Sequence, residues 1–190
     1  AGLAYPALRG ANQLLNASAV LAALEALEDR LVVPQQAIRI GLSHVTLPGR
    51  LQIVPGQPAL VLDVAHNPHA SAALAQNLDG MGFYPYTYAV LGMLSDKDVK
   101  GVVSKLLTRV DHWYCAGTQG PRGLSGEALA EIVRGLLPPQ GKDPITVASF
   151  ENPVQAFTEA QKDAADNDRI LVFGSFSTVG PILKEIGRKG

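Results

Sequence analysis

LVLDVAHNPHAS, residues 60–71, decides how the rest of the chain is read. Apolar residues lead into Asp63. His66, Asn67, Pro68 and His69 follow at once, and a run of alanines begins. The pattern places Asp63, His66, Asn67 and His69 where a strand gives way to a helix. Asn67 suits the N-cap and Pro68 the first helical position. Free N–H groups and the helix dipole favour an anion at such an end. His66 can donate to a phosphate oxygen, and Asp63 can accept from ribose hydroxyls or a metal-bound water. A plainer reading stands beside this one, because Asn-Pro also caps ordinary helices and an aspartate at a strand end is often a turn former.

Outward from this stretch, strands and helices alternate. Residues 51–55 and 59–64 read as strands joined by PGQP, a hairpin. The spacing of Ala70, Leu74, Leu78 and Met81 predicts a helix over 71–81. Strands follow at 87–93, 112–117, 145–149 and 169–175, and helices at 99–110, 126–137, 152–165 and 178–187. This order argues an α/β layer fold with a mostly parallel sheet. Upstream, residues 16–31 and 34–45 read as two helices, and LPGR at 47–50 breaks the pattern, which sets a boundary there. In a parallel sheet the loops leaving strand carboxyl ends share one edge, where ligands of open α/β sheets sit. Here those loops are DVAHNPH, GMLSDKD, CAGTQGPRG, ASFENP and FGSFST, all more polar than the strands before them.

Bulk properties exclude several classes. The chain has 190 residues, 47% hydrophobic and 17% charged, with a formal net charge of -1. That balance lacks the basic excess of a nucleic-acid binder. The single cysteine, Cys115, excludes an internal disulfide and fits a small core residue in a reducing compartment, so the cytoplasm is expected. No apolar run is long enough to span a membrane. The chain opens AGLAYPALRG without an initiator methionine, and a piece of a larger protein is expected.

Motif absences matter as much. There is no G-x-G-x-x-G after a strand and no G-x-S-x-G, which removes the main support for a dehydrogenase or a hydrolase. There is no P-loop; GLLPPQGKD from Gly135 has the wrong spacing and no hydroxyl after Lys142. His66 and His69 lack an evident third metal ligand, so no metal residues are assigned. His44 and His112 read as structural. Asp96 to Asp98 and the GSFST stretch also fit ordinary helix starts.

DVAHNPHA resembles the signature of the folylpolyglutamate synthase and dihydrofolate synthase branch of the Mur ligase superfamily. RGANQLLNASAVLAAL at 9–24, LPGR at 47–50 and GMLSDKD at 92–98 match the same branch in the same order. The resemblance implies a Rossmann-like three-layer domain with a mostly parallel six-stranded sheet and one antiparallel strand. It implies that residues 1–47 are the terminal helices of an upstream ATPase domain and that 48–190 form the C-terminal ligase domain. The missing P-loop would then lie upstream.

In such a family ATP phosphorylates a carboxylate of dihydropteroate or folate, and L-glutamate attacks the acyl phosphate to give an amide, ADP and phosphate. ATP and Mg2+ are implied cofactors, with the metal ligands upstream. The intact enzyme is expected to be a monomer without nucleic-acid or membrane partners. Carried over by position, His66 is the catalytic residue near the transferred phosphate. Asn16 contacts adenine, Arg50 the nucleotide phosphates, and Asp63 the ribose, with a possible part in setting the hinge. Ser175 lies near the incoming glutamate, and Lys97 is a candidate anion contact. Two other readings stay open: a non-catalytic Rossmann-like nucleotide-binding module, and a Mur ligase of the peptidoglycan branch. The isolated chain is expected to bind nucleotide weakly and to catalyse nothing.

Overall fold

A computed structural model describes residues 5–138 and 145–188; Lys142 of the rejected P-loop stretch lies outside them. Six strands form one sheet in the order β1-β2-β6-β3-β4-β5. They are β1 Gln52–Val54, β2 Ala59–Asp63, β3 Thr87–Leu91, β4 His112–Ala116, β5 Thr146–Phe150 and β6 Arg169–Phe173. The expected hairpin is present: β1 runs antiparallel to β2, pairing Gln52 with Leu62 and Val54 with Leu60. All other neighbours are parallel. The helices are α1 Ala11–Ala26, α2 Gln35–His44, α3 Pro68–Asp79, α4 Val99–Ser104, α5 Gly126–Arg134, α6 Pro153–Asp163 and α7 Phe176–Gly187.

The central strands read as near-continuous apolar runs because both faces are covered. Successive side chains go to opposite faces. Val61, Ala89, Leu91, Trp113, Leu171 and Phe173 meet α3, α4 and α5 in one buried cluster. Leu60, Leu62, Val90, Tyr114, Ile170 and Val172 meet α6 and α7 in the other. Connections from β2 through β3 and β4 to β5 all step one way across the sheet, so right-handed crossovers put their helices on one face. The return from β5 to β6 reverses direction and puts α6 on the other. The sheet therefore has its topological switch on either side of β6, between β2 and β3.

Several helix boundaries differ from the sequence reading, most of all in α1, α4 and α7. Helix α1 begins at Ala11, not Asn16, because Gly10 turns the chain at φ +105 and starts the helix without a side-chain cap. Beyond Ala26 its apolar rhythm continues through non-helical turns held by Arg30 N–H to Leu27 O, which sustained the longer reading. Helix α4 ends at Ser104 rather than 110. The following turns keep Leu106 and Val110 in the core, while Arg109 makes a two-pronged contact with Asp79 of α3, at 2.7 and 2.8 Å. Helix α7 starts at Phe176, capped by Ser175, two residues before the expected start. No helix of the described residues is long and apolar enough to cross a membrane.

Candidate functional site

The loops after β2, β3 and β6 converge because those strands are neighbours: Asp63 registers with Phe173, and Phe173 with Leu91. Their backbones touch. Gly92 N–H donates to Phe173 O at 3.3 Å. Thr178 Oγ1 donates to Gly92 O at 2.7 Å, and Thr118 Oγ1 to Met93 O at 2.9 Å, which ties in the loop after β4. A Cβ on Gly101 would lie 2.7 Å from Pro68 Cγ, so that glycine lets the start of α4 approach the start of α3. The DKD loop and the HNP loop are thereby held side by side.

Asp63 is the anchor of the arrangement. Its Oδ2 accepts from Leu51 N–H at 2.9 Å and its Oδ1 from Ala65 N–H at 2.7 Å. One carboxylate thus joins the linker that follows α2 to the loop carrying His66. Leu51 sits at φ +43, a conformation uncommon outside glycine, and Val64 N–H donates to Gly49 O at 2.8 Å beside it. Burial pushes the Asp63 pKa above the usual carboxylate value, opposed by the two amide hydrogen bonds and the charge of Arg50. Each oxygen retains a second lone pair for a ligand hydroxyl.

A stability prediction follows from that environment. A carboxyl whose folded pKa is raised contributes most below its unfolded value, near about 4, and loses that contribution as pH rises through the folded value. Asp63→Asn offers one acceptor for two amides and is expected to cost about 1–3 kcal/mol. Urea melts over a pH series should show the gap between wild type and variant narrowing from acid toward neutral pH. A gap that widens toward neutral pH would mean that ionisation of Asp63 stabilises the fold.

His66 is half-buried, and its Nδ1 lies 2.8 Å from Val64 O. A carbonyl only accepts, so Nδ1 carries the proton and Nε2 is left to face a ligand. Asn67 caps α3, accepting from Ala70 N–H at 2.8 Å, as the sequence suggested. The cap reduces the helix end as an anion seat. Pro68 has no N–H, and Ser71 N–H is taken by Asn67 O. The His69 N–H alone stays without a partner in that first turn among the described residues.

Ser175 caps α7 and is buried. Thr178 Oγ1 gives its proton to Gly92 O, so Ser175 donates to Thr178 Oγ1 at 2.8 Å. Ser175 also accepts from Thr178 N–H and from Ser177 Oγ, at 3.2 and 2.6 Å. Its hydroxyl is fully engaged. Lys97 Nζ lies 3.6 Å from Asp96, which also pairs with Arg122 at 3.2 Å, and Asp98 caps α4. Cys115 is buried and its thiol is pushed up to about 12 by burial, which suits a core residue. His44 and His112 make local hydrogen bonds, to Ile40 O and Thr146 Oγ1. Among the described residues no three His, Cys, Asp or Glu side chains gather as a metal site.

Asn16 stands apart. It is exposed on α1 and donates to Gln13 Oε1 at 3.1 Å; no hydrogen bond among the described residues links it to the edge loops. Arg50 lies beside Asp63 through the linker and lines a groove that also takes in Arg9. Sequence reasoning left Arg9 without a role. The signal was Arg-Gly directly before a helix, with the glycine free to turn the chain.

This sheet, with its switch around β6 and its polar loops gathered at one edge, defines a doubly wound α/β domain, and the sequence comparison gives its family. The profile of the family described as Mur ligase, glutamate ligase domain, matches residues 49–176, and the chain belongs to that family. It is similar to the dihydrofolate synthase/folylpolyglutamate synthase of Escherichia coli (strain K12), at 42% identity over 171 residues, 90% of this chain and 37% of that protein. Its fold is similar to that of E. coli FolC in complex with DHPP and ADP, with a TM-score of 0.82 and 37% identity over 98% of this chain and 41% of that one. A Yersinia pestis bifunctional folylpolyglutamate synthase/dihydrofolate synthase, complexed with AMPPNP and Mn ion, is similar at a TM-score of 0.77 and 39% identity, again over 98% and 41%. The chain thus spans about two fifths of the length of these relatives.

Proposed function

We propose that this chain is the C-terminal part of an ATP-dependent carbon–nitrogen ligase. The enzyme adds L-glutamate to dihydropteroate, or to a folate already bearing glutamate, through an acyl phosphate. The observation that carries this reading is the loop from Asp63 to Pro68: a carboxylate locks it to the linker at Leu51, and His66 Nε2 is left free at the switch edge. Residues 1–47 belong, on this reading, to the end of an ATPase domain and 48–190 to the ligase domain. In support, α2 has no buried residue and the buried core clusters begin at Leu51.

ATP supplies the phosphoryl group that activates the substrate carboxylate. Asn16, Arg50 and Asp63 hold the nucleotide. His66, with a proton on Nε2 as well as on Nδ1, donates from Nε2 to the transferred phosphoryl group and steadies its charge as it develops. The incoming glutamate competes for the Ser175 proton now given to Thr178, and Lys97 offers a cation on the same edge. Mg2+ is held by residues outside this chain; the Mn ion and AMPPNP of the Yersinia pestis relative support a divalent ion with the nucleotide. Closure of two domains excludes water from the acyl phosphate. The protein works as a cytoplasmic monomer.

The experiment is turnover by the full-length protein that contains this chain. With ATP, Mg2+, L-glutamate and dihydropteroate or a reduced folate, one ADP and one phosphate should appear per new amide. The 190-residue chain alone should give none. Ligation of a peptidoglycan precursor with no activity on pterins would move the enzyme to another branch of the family. No ligation of either kind by the full-length protein would leave a nucleotide-binding module.

A further inference from the structure

The junction between the helical pair and the sheet holds two cavities that share a wall. One, of about 430 Å³, lies between α1 and α2, and its lining includes Asn16, Val20, Leu24 and Ile38. The other, of about 330 Å³, is a groove that includes Arg9, Thr46, Arg50 and Gln52. Leu8, Val45 and Leu47 line both. One side of the junction is therefore apolar with two amides, Gln13 and Asn16, and the other carries two arginines.

We propose that Arg9 and Arg50 together form a two-guanidinium seat for the phosphates of a nucleoside di- or triphosphate. In this seat Arg9 is a nucleotide-binding residue in its own right. The proposal rests on the nucleotide reading given above and extends it to a residue outside the Asp63–His69 loop.

Local structure brings the two arginines together. Gly10 adopts φ +105, and a Cβ there would lie 3.0 Å from Asn77 Nδ2 of α3. The chain therefore turns against α3 and sets Arg9 into the groove just before α1 begins. Arg50 arrives from the other side through the Pro48-Gly49 turn, where Gly49 has φ +72 and its N–H donates to Gln52 Oε1 at 3.0 Å.

Charge then defines the ligand. No acidic residue lines the groove, and neither arginine makes an ion pair among the described residues. Asp63, whose charge Arg50 feels, has both oxygens on backbone amides. Two unpaired guanidinium groups in one groove call for a ligand with more than one negative charge. Their planar forks match phosphate oxygens. The adjoining apolar cavity takes the flat base, with the Asn16 amide able both to donate to and accept from its edge. A monophosphate can engage both forks, and each added phosphate brings further charge and oxygens, so affinity rises from mono- to di- and triphosphates.

The test is equilibrium titration of the full chain, followed by NMR or calorimetry, with ADP, adenosine, tripolyphosphate and an oligo-γ-glutamate. Wild-type chain should bind ADP and tripolyphosphate. Arg9→Gln should weaken both by about tenfold and leave adenosine unchanged, the loss of one charged hydrogen-bonding partner. Arg9→Lys should recover part of that loss. If Arg9→Gln leaves ADP affinity unchanged while Arg50→Gln weakens it, the proposal falls and the nucleotide reading stands. Oligo-γ-glutamate binding that depends on Arg9 as strongly as ADP binding does would overturn the assignment to phosphate. No saturation by ADP or tripolyphosphate up to about 10 mM overturns the seat in this chain, since so weak a site offers less than about 3 kcal/mol. If the full-length protein also fails to bind ADP, the nucleotide reading falls with it.

Discussion

Replacing His66 by alanine should lower kcat of the full-length ligase by about 10²–10⁴-fold, the usual contribution of a positioned proton-exchanging or charge-stabilising imidazole. The geometry separates this from a folding defect. Among the described residues the His66 side chain makes one hydrogen bond, through Nδ1 to Val64 O, and it is only half-buried. Its loss should cost about 1 kcal/mol of stability. The loop itself stays in place, because Asp63 holds Ala65 and Asn67 holds Ala70 without help from the imidazole. KM for ATP should change little, since the nucleotide contacts proposed here come from other residues. Steady-state kinetics beside a thermal melt check both expectations. His66→Gln, which keeps an N–H but cannot exchange a proton near neutral pH, should recover little of kcat. A His66→Ala enzyme with kcat within about threefold of wild type would move the imidazole out of the reacting site and favour the module reading.

The sequence made the sheet legible for a physical reason. Four parallel strands buried on both faces, β2, β3, β4 and β6, must read as apolar runs, and each ends in a polar loop where the chain leaves the core. The hairpin of β1 and β2 was equally visible, since a turn too short for a crossover forces antiparallel pairing. Helix ends were less legible. Leu27 and Leu31 continue the rhythm of α1 through non-helical turns, and Leu106 does the same for α4, because i+3 turns and helices place apolar groups at nearly the same spacing. At the site, residue types were readable but their partners were not. Asp63 lies twelve residues from Leu51, and nothing local says that its carboxylate is held by that amide. Ser175 looked free for a ligand, yet its proton goes to Thr178 because Thr178 is committed to Gly92, a residue on another strand's loop. Arg9 gained meaning only once the fold set it beside Arg50.

Gly174→Ala should destabilise the fold by about 3 kcal/mol. Gly174 links β6 to the Ser175 cap at φ +111, where an L side chain costs about 1–2 kcal/mol by itself. The added Cβ would also overlap Gly92 O and lie 2.9 Å from Leu91 Cδ1 and 3.0 Å from Met93 Cγ. Overpacking of this kind costs a further ~1–3 kcal/mol. Neither neighbour can step aside cheaply. Gly92 O accepts from Thr178, and a Cβ on Gly92 would itself lie 2.5 Å from Thr178 Oγ1, so the β3 loop is already pressed against α7. For a domain of this size the melting temperature should fall by roughly 6–12 °C. The control lies on the same helix. A Cβ on Gly187, in the last turn of α7, meets nothing within 4 Å and no proline follows it, so Gly187→Ala should raise stability by about 0.5–1 kcal/mol through helix propensity. Opposite signs at the two positions would separate contact at the β3–β6 seam from any general intolerance of alanine in this region. Equal, small effects would mean that the turn after β6 relaxes independently of the loop after β3. Ser175 and the DKD loop would then not be held in register by the backbone contact between Gly92 and Gly174.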